Sequence, residues 1–298
     1  MRNKTKKLGI CSLLGLSVLT AYNLLSNSSA AIIDTNIVYA DSDLSAEKSD
    51  TSDSSAKTDE RIYGIGSVSK VYVTTAVMQL VDQGKVELDK PVTEYIPDFN
   101  MADERYKDIT VRMLMNHTSG IMGSSWTNMM LYEDNDMSCH DNLLKSLSTQ
   151  RLKADPGQYA AYCNDGFTLL ELIVEEVTGM SYTEYVDKNI AAKIGAEHTG
   201  TPVNLFQDPM QTDIYINNIQ YDYNYCMALG SGGIESTASE VARFGSTFFT
   251  EDNTLLSEES KNEMATRWNE DGDNTDIYTD DNGLGWDYVE TWKCMEKM

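Results

Sequence analysis

Ser67 and Lys70 stand three residues apart in Ser67-Val68-Ser69-Lys70, at the point where an apolar helical pattern begins. Residues i and i+3 share one face of a helix, so this spacing brings an amine beside a hydroxyl. A neutral or proton-sharing amine can accept the serine proton. The amino end of a helix also favours the negative charge that develops as the oxygen attacks. The chemistry implied is nucleophilic acyl transfer by Ser67 with Lys70 handling protons. A four-residue spacing of this kind also recurs by chance on protein surfaces, so its context decides its meaning.

The elements that must position this pair follow from periodicity. From Ser67, the residues Val68, Val71, Val73, Ala76, Val77, Leu80 and Val81 recur at helical spacing, and Gly84 supplies a stop. A short helix is expected over 110–116, and a longer one from Asp165, with Phe167, Leu170, Ile173, Val174 and Val177 on one face and Gly179 past its end. Ser181-x-x-Glu184 forms a capping box for the next helix. A glycine-rich turn at Gly230-Ser231-Gly232-Gly233 precedes a further helix over 238–248. Strands are expected only at 32–39, 63–65 and 283–288. The middle of the chain reads as mainly helical.

Several segments carry a resemblance in a fixed order. Gly64-Ile65-Gly66-Ser67-Val68-Ser69-Lys70 resembles the nucleophile segment of the penicillin-binding protein and serine β-lactamase family, in particular its class C β-lactamases and D-alanyl-D-alanine carboxypeptidases. Gly84-Lys85-Val86-Glu87-Leu88-Asp89 resembles the stretch after that helix. Ile109-Thr110-Val111-Arg112-Met113-Leu114-Met115-Asn116-His117-Thr118-Ser119-Gly120 resembles its next helix and H-T-S-G turn. Tyr162-Cys163-Asn164 stands where the family has a Y-x-N box, and Gly232-Gly233-Ile234-Glu235-Ser236-Thr237 and Gly283-Leu284-Gly285-Trp286 complete the series.

The resemblance implies an α+β, β-lactamase/transpeptidase-like fold, represented mostly by its helical subdomain with a reduced or truncated antiparallel sheet. It implies that Ser67 forms an acyl-enzyme, that Lys70 and Tyr162 move its proton, and that Asn164 binds the substrate amide and orients Lys70. Standing alone, Tyr162 would read as a packed aromatic. Cys163 is expected to pack, and His117 to cap or buttress its turn. The substrates implied are peptidoglycan-derived D-Ala-D-Ala peptides, β-lactams or small esters, with no cofactor and no metal.

The family's third box, a K-T-G-like triplet on a strand after Gly-Leu-Gly-Trp, has no counterpart in Lys293-Cys294-Met295. His198-Thr199-Gly200 has suitable letters but precedes the glycine-rich turn, and is read as a decoy. Residues before Ser67 are also few for the family's opening helix and strands. The expectation is therefore a chain incomplete at both ends relative to the family and a weak catalyst. A non-catalytic module that binds cell-wall peptides is the competing reading.

Composition sets the surroundings. Arg2, Lys4, Lys6 and Lys7 precede an apolar run and then small residues up to Ala40, the layout of a secretory signal over residues 1–40. The expected location is extracellular or at the cell surface, with membrane attachment only if that segment is retained as an anchor. Residues 41–60 are almost wholly polar and read as a disordered acidic linker, leaving 61–298 as the hydrolase-like domain. The net charge of −24 would repel phosphates and argues against a nucleic-acid partner. Of five cysteines, Cys139, Cys163, Cys226 and Cys294 lie beyond the signal. Four cysteines allow three pairings, and the sequence does not choose among them. His117, His140 and His198 show no metal-ligand spacing.

Overall fold

The computed structural model describes residues 61–123, 125, 129–132, 134–216, 219–221, 223–249, 251–266 and 283–286. The signal, the acidic linker, the expected strand at 32–39, Cys294 and the Lys293-Cys294-Met295 triplet lie outside them.

The chain enters through β1 (Tyr63–Gly64) and a 3-10 turn at Gly66–Val68, then runs into α1 (Ser69–Asp82). Next come α2 (Val111–Met115), β2 (Met130–Tyr132), α3 (Ser138–Asp141) and α4 (Leu143–Leu147). The long α5 (Asn164–Thr178) precedes α6 (Tyr182–Val186) and, after a π turn, α7 (Ala192–Ile194). The remainder holds β3 (Ile214–Ile216), β4 (Ile219–Tyr221), β5 (Asn224–Cys226), α8 (Leu229–Gly232), β6 (Glu235–Ser236), α9 (Ala238–Ser246) and α10 (Glu258–Met264). Among the described residues the strands form three antiparallel pairs, β1 with β6, β2 with β5 and β3 with β4.

Side chains cap the starts of two helices, at Ser181 as the capping-box spacing predicts and also at Thr110. Thr110 Oγ1 accepts the Met113 N–H at 3.3 Å, and Ser181 Oγ accepts the Glu184 N–H at 3.2 Å. Gly179 ends α5 in the left-handed conformation.

Helix α1 departs from the one-sided pattern. Beyond its valines, α1 also buries Tyr72, Thr74, Thr75 and Met78, so it is enclosed on every side. Helices α5, α6, α8 and α10 all pack on it, which explains why no polar face survives. Thr75 meets this burial by donating to the Val71 carbonyl at 2.8 Å, and Tyr72 stacks on Phe244 of α9 with centroids 3.8 Å apart.

Three readings need correction. The glycine-rich segment is not merely a turn, because residues 229–232 form α8, packed against α1 and α5. Within the expected strand 283–288, the described part 283–286 is a turn: Gly283 N–H donates to the Trp286 carbonyl at 3.0 Å, and Gly285 has φ +74°. A side chain there would meet Thr74 of α1, with its Cβ 2.9 Å from the threonine Cβ, so close packing dictates the glycine. The pairs β2–β5 and β3–β4 were not foreseen, since three-residue strands give too short an alternation to register.

Residues 117–120 form the pivot that holds the Tyr162 segment. Gly157 N–H donates to the Thr118 carbonyl at 2.8 Å and Ala161 N–H to the His117 carbonyl at 2.9 Å. His117 has φ +64°, a conformation histidine tolerates better than most side chains. Its ring is buried against Tyr162 and Phe167, at 4.5 and 4.9 Å between centroids, and its Nδ1 accepts the Cys163 N–H at 3.0 Å. Burial, helped by the Lys70 and Lys153 charges, lowers the imidazole to about 3. It is therefore neutral, with its proton on Nε2.

A neutral buried histidine makes stability depend on pH. Its folded-state affinity for a proton lies below the unfolded value near 6.5, so its stabilisation is complete above that pH and is lost as pH falls toward 3. Unfolding free energy should decline in that window with a contribution of up to about 1.4 kcal/mol per pH unit from this group. His117→Asn keeps an acceptor and tolerates the same backbone, and denaturant titrations at several pH values should show it without that slope. Equal slopes in the two proteins would refute the assignment.

Candidate active site

The 3-10 turn before α1 leaves Ser67 half-buried, whereas the following residues are enclosed. The Ile65 N–H is tied to the Ile234 carbonyl at 3.0 Å, which fixes the turn against β6. Ser69, the other serine of the motif, is fully buried and its Oγ accepts the Ile234 N–H at 2.9 Å. Ser119 is buried as well, next to the Ile121 N–H. Of these three serines, Ser67 alone is placed for a substrate.

The structure brings together all four residues singled out from sequence. Tyr162 Oη donates to Ser67 Oγ at 2.6 Å, and Lys70 Nζ donates to the same oxygen at 3.3 Å. Lys70 Nζ also donates to Asn164 Oδ1 and to the Ser231 carbonyl, each at 2.7 Å. Three acceptors match the three protons of an ammonium. The same nitrogen lies 4.7 Å from the Tyr162 ring centroid and 5.3 Å from that of Phe167, where ring faces favour a cation. Lys70 is 3% exposed and Tyr162 39%, so the cation is withdrawn from solvent while the phenol stands at the mouth of the site.

Asn164 is the first residue of α5, and its neighbour Asp165 anchors the facing loop. Asp165 accepts the Ser125 N–H at 2.9 Å and the Ser125 hydroxyl at 2.8 Å, and burial raises its carboxyl above the ordinary value. Cys163 between Tyr162 and Asn164 is buried, and burial pushes its thiol up to about 11, a neutral packing group. The described cysteines, Cys139, Cys163 and Cys226, are all free thiols.

His198-Thr199-Gly200 serves the framework. Gly200 exchanges both backbone hydrogen bonds with Glu235 at 2.9 Å, across β6 from β1. Thr199 is buried and donates to Glu240 Oε2 at 2.7 Å, while the His198 N–H donates to Glu240 Oε1 at 3.0 Å. The Thr199 hydroxyl and the His198 N–H are thereby committed to Glu240 of α9. The sequence reading missed the Ser231 carbonyl, because a backbone acceptor leaves no residue-type signal; only the glycines around it marked the place.

Among the described residues no group of histidine, cysteine and acidic side chains is arranged to hold a metal, and no helix is long and apolar enough to cross a membrane.

Comparison with known proteins agrees with this geometry. Penicillin-binding protein 4 of Amycolatopsis lactamdurans is 32% identical over 147 residues, covering 49% of this chain and 38% of the relative. The D-alanyl-D-alanine-carboxypeptidase/endopeptidase AmpH of Escherichia coli (strain K12) is 26% identical over 199 residues, covering 65% of this chain and 50% of the relative. The chain thus spans about half the length, or less, of these curated relatives. A D-stereospecific amidohydrolase from Streptomyces sp. superposes with a TM-score of 0.62 at 23% identity, over 76% of this chain and 70% of the other, which establishes the shared fold. A sequence model of the family described as Beta-lactamase matches residues 28–293. With that match covering most of its length, and with β-lactamase/transpeptidase-fold proteins as its structural neighbours, the chain belongs to the Beta-lactamase family of serine β-lactamases and penicillin-binding proteins.

Proposed function

We propose that the protein is a serine acyl-transfer hydrolase that works through an acyl-enzyme on Ser67. The observation that carries this reading is the pair of hydrogen bonds on Ser67 Oγ, from Tyr162 at 2.6 Å and Lys70 at 3.3 Å. In the reacting form the Tyr162 phenol is ionised, and as Ser67 Oγ bonds to a carbonyl carbon the serine proton passes to Tyr162 Oη. A cation beside a phenol stabilises the phenol's ionised form, so Tyr162 can serve as the base while Lys70 stays charged. The tetrahedral intermediate collapses, the leaving group takes up the proton, and an ester remains on Ser67. Water then releases the acyl group by the reverse transfer. Asn164 both orients Lys70 and offers its amide N–H groups to a substrate carbonyl.

D-Ala-D-Ala peptides, β-lactams and small esters are the proposed substrates. The names of AmpH and of penicillin-binding protein 4 support the peptides and the β-lactams. The basic then apolar leader supports a site of action outside the cell or at its surface. A module that binds cell-wall peptides without turning them over is the second reading. The commitment of His198-Thr199-Gly200 to α9 favours it, because that triplet is then not free to serve as the third box.

Fluorescent penicillin or an activated fluorophosphonate, followed by peptide mapping, should find the label on Ser67. Label on Ser69 or Ser119 with Ser67 free would sink the assignment. An unlabelled Ser67 in a folded protein that still binds a D-Ala-D-Ala peptide would favour the second reading.

Lys70→Ala and Tyr162→Phe should each slow acylation by about 10²–10⁴ while leaving the circular dichroism unchanged. Wild-type labelling rates in either variant would exclude that residue from the proton path.

A further inference from the structure

Behind Lys70, on the side away from Ser67, lies a second polar chain that acyl transfer does not use directly. Glu171, on α5, is fully buried. Its Oε2 accepts the Gly230 N–H at 2.8 Å, while its Oε1 lacks a hydrogen-bond partner and stands 3.7 Å from His140 Nε2. His140, on α3, is 3.0 Å from Glu175 Oε2 through Nε2 and 3.0 Å from Asp141 Oδ1 through Nδ1. With a carboxylate at each ring nitrogen, both nitrogens are donors and the imidazole is a cation.

The electrostatics agree with that geometry. Burial opposes the charge on His140, but the hydrogen bond to Glu175, the nearby Glu171 and the bond to Asp141 outweigh it and raise the imidazole to about 10. Burial pushes the Glu171 carboxyl up to about 7, and His140 and the Gly230 N–H hold it from rising further. The other titratable groups facing this pair are Glu175, the Tyr182 phenol and the Cys139 and Cys226 thiols. Burial raises the phenol and both thiols, so they stay neutral.

Gly230 is where this chain meets the active site. A Cβ there would stand 2.8 Å from the Phe167 carbonyl oxygen and 3.2 Å from both Glu171 Cβ and Val73 Cγ2, so α8 lies directly on α5 and α1. The next residue is Ser231, whose carbonyl accepts from Lys70 Nζ at 2.7 Å. One carboxylate therefore grips the N–H on one side of a short turn, and the catalytic amine grips the carbonyl that follows it.

We propose that Glu171, itself held by His140, is a positioning residue that fixes the Gly230–Ser231 backbone so that the Ser231 carbonyl holds Lys70 beside Ser67 and Tyr162. It touches neither substrate nor reacting atom. It acts by stabilising the protonated amine in one place, through a fixed carbonyl dipole and a buried negative charge. Removing either makes Lys70 release its proton at lower pH. The groups facing Lys70 whose own titration must be separated from this effect are Tyr162, His117 and Cys226. The catalytic consequence rests on the acyl-transfer reading above, whereas the effect on Lys70 does not.

The test compares full-length wild type with Glu171→Ala and Glu171→Gln. Two readouts are followed: the pH profile of Ser67 labelling by fluorescent penicillin, and the titration of Lys70 by its 13Cε chemical shift. Glu171→Gln keeps an acceptor for Gly230 and should label within about threefold of wild type, with the Lys70 midpoint lower by roughly half a pH unit. Glu171→Ala loses acceptor and charge, and should label at least about tenfold more slowly, with the midpoint and the alkaline limb of the profile lower by about one unit. A merely structural role would reduce the labelled fraction without moving either. If Glu171→Ala does not fold, Glu171→Gln decides by its midpoint. An unmoved Lys70 midpoint in the folded variant overturns the proposal. If wild type is not labelled at Ser67 while the Lys70 midpoint moves as described, the acyl-transfer reading falls and the positioning role stands.

Discussion

A charged amine sits in the interior of this protein, and much of the surrounding architecture exists to make that tenable. Lys70 is 3% exposed, and moving an ammonium out of water costs several kcal/mol unless its protons are met. They are met by Ser67 on its own helix turn, Asn164 at the start of α5 and the Ser231 carbonyl in α8. No single segment could supply all three, because a lysine tip can face only one acceptor from its own helix turn. The cation is therefore stable only when α1, α5 and α8 are docked, and the three helices do pack on one another. Forming the core and assembling the site are one event.

That dependence explains the unusual burial of α1. A helix that carried its site on a solvent face would leave Lys70 hydrated and mobile. Enclosure on every side holds the amine in one rotamer beside Ser67, while the preceding 3-10 turn keeps the hydroxyl at the surface. Buried hydroxyls then have to be satisfied locally. Thr75 turns back to the Val71 carbonyl, and Ser69 serves β6 by accepting the Ile234 N–H. The two serines of one motif thus divide, Ser67 half-buried at the site and Ser69 enclosed in the framework.

Environment divides the histidines in the same way. His117 packs against the Tyr162 and Phe167 rings near the Lys70 cation, and is held neutral. His140 lies among Asp141, Glu171 and Glu175, and is held charged. The first supports the backbone of the Tyr162 segment, and the second supports the carboxylate that grips α8. Residue type says little here; the sign of the neighbouring charge decides which form is stable.

Much of this was legible beforehand. Local interactions write themselves into short sequence windows, so the start of α1, the Ser181 cap and the Gly179 stop were placed within two residues. The resemblance of ordered motifs also singled out Ser67, Lys70, Tyr162 and Asn164, which the structure brings to one point. What could not be read were contacts between segments far apart in the chain. The β2–β5 pair joins residues more than ninety apart in numbering, and three-residue strands carry too little alternation to announce a partner. Gly283–Trp286 turns through a left-handed Gly285, where Thr74 leaves no room for a side chain. The Ser231 acceptor is a backbone atom, and Glu171 reads in sequence as one acidic residue in an amphipathic helix. The sequence by itself determined which residues stand in the ordered motifs and where their helices begin and end, since those depend on neighbours along the chain. Only the tertiary structure decided which groups hold Lys70 and which charges hold those groups, because burial and electrostatic sign arise when distant segments exclude water together.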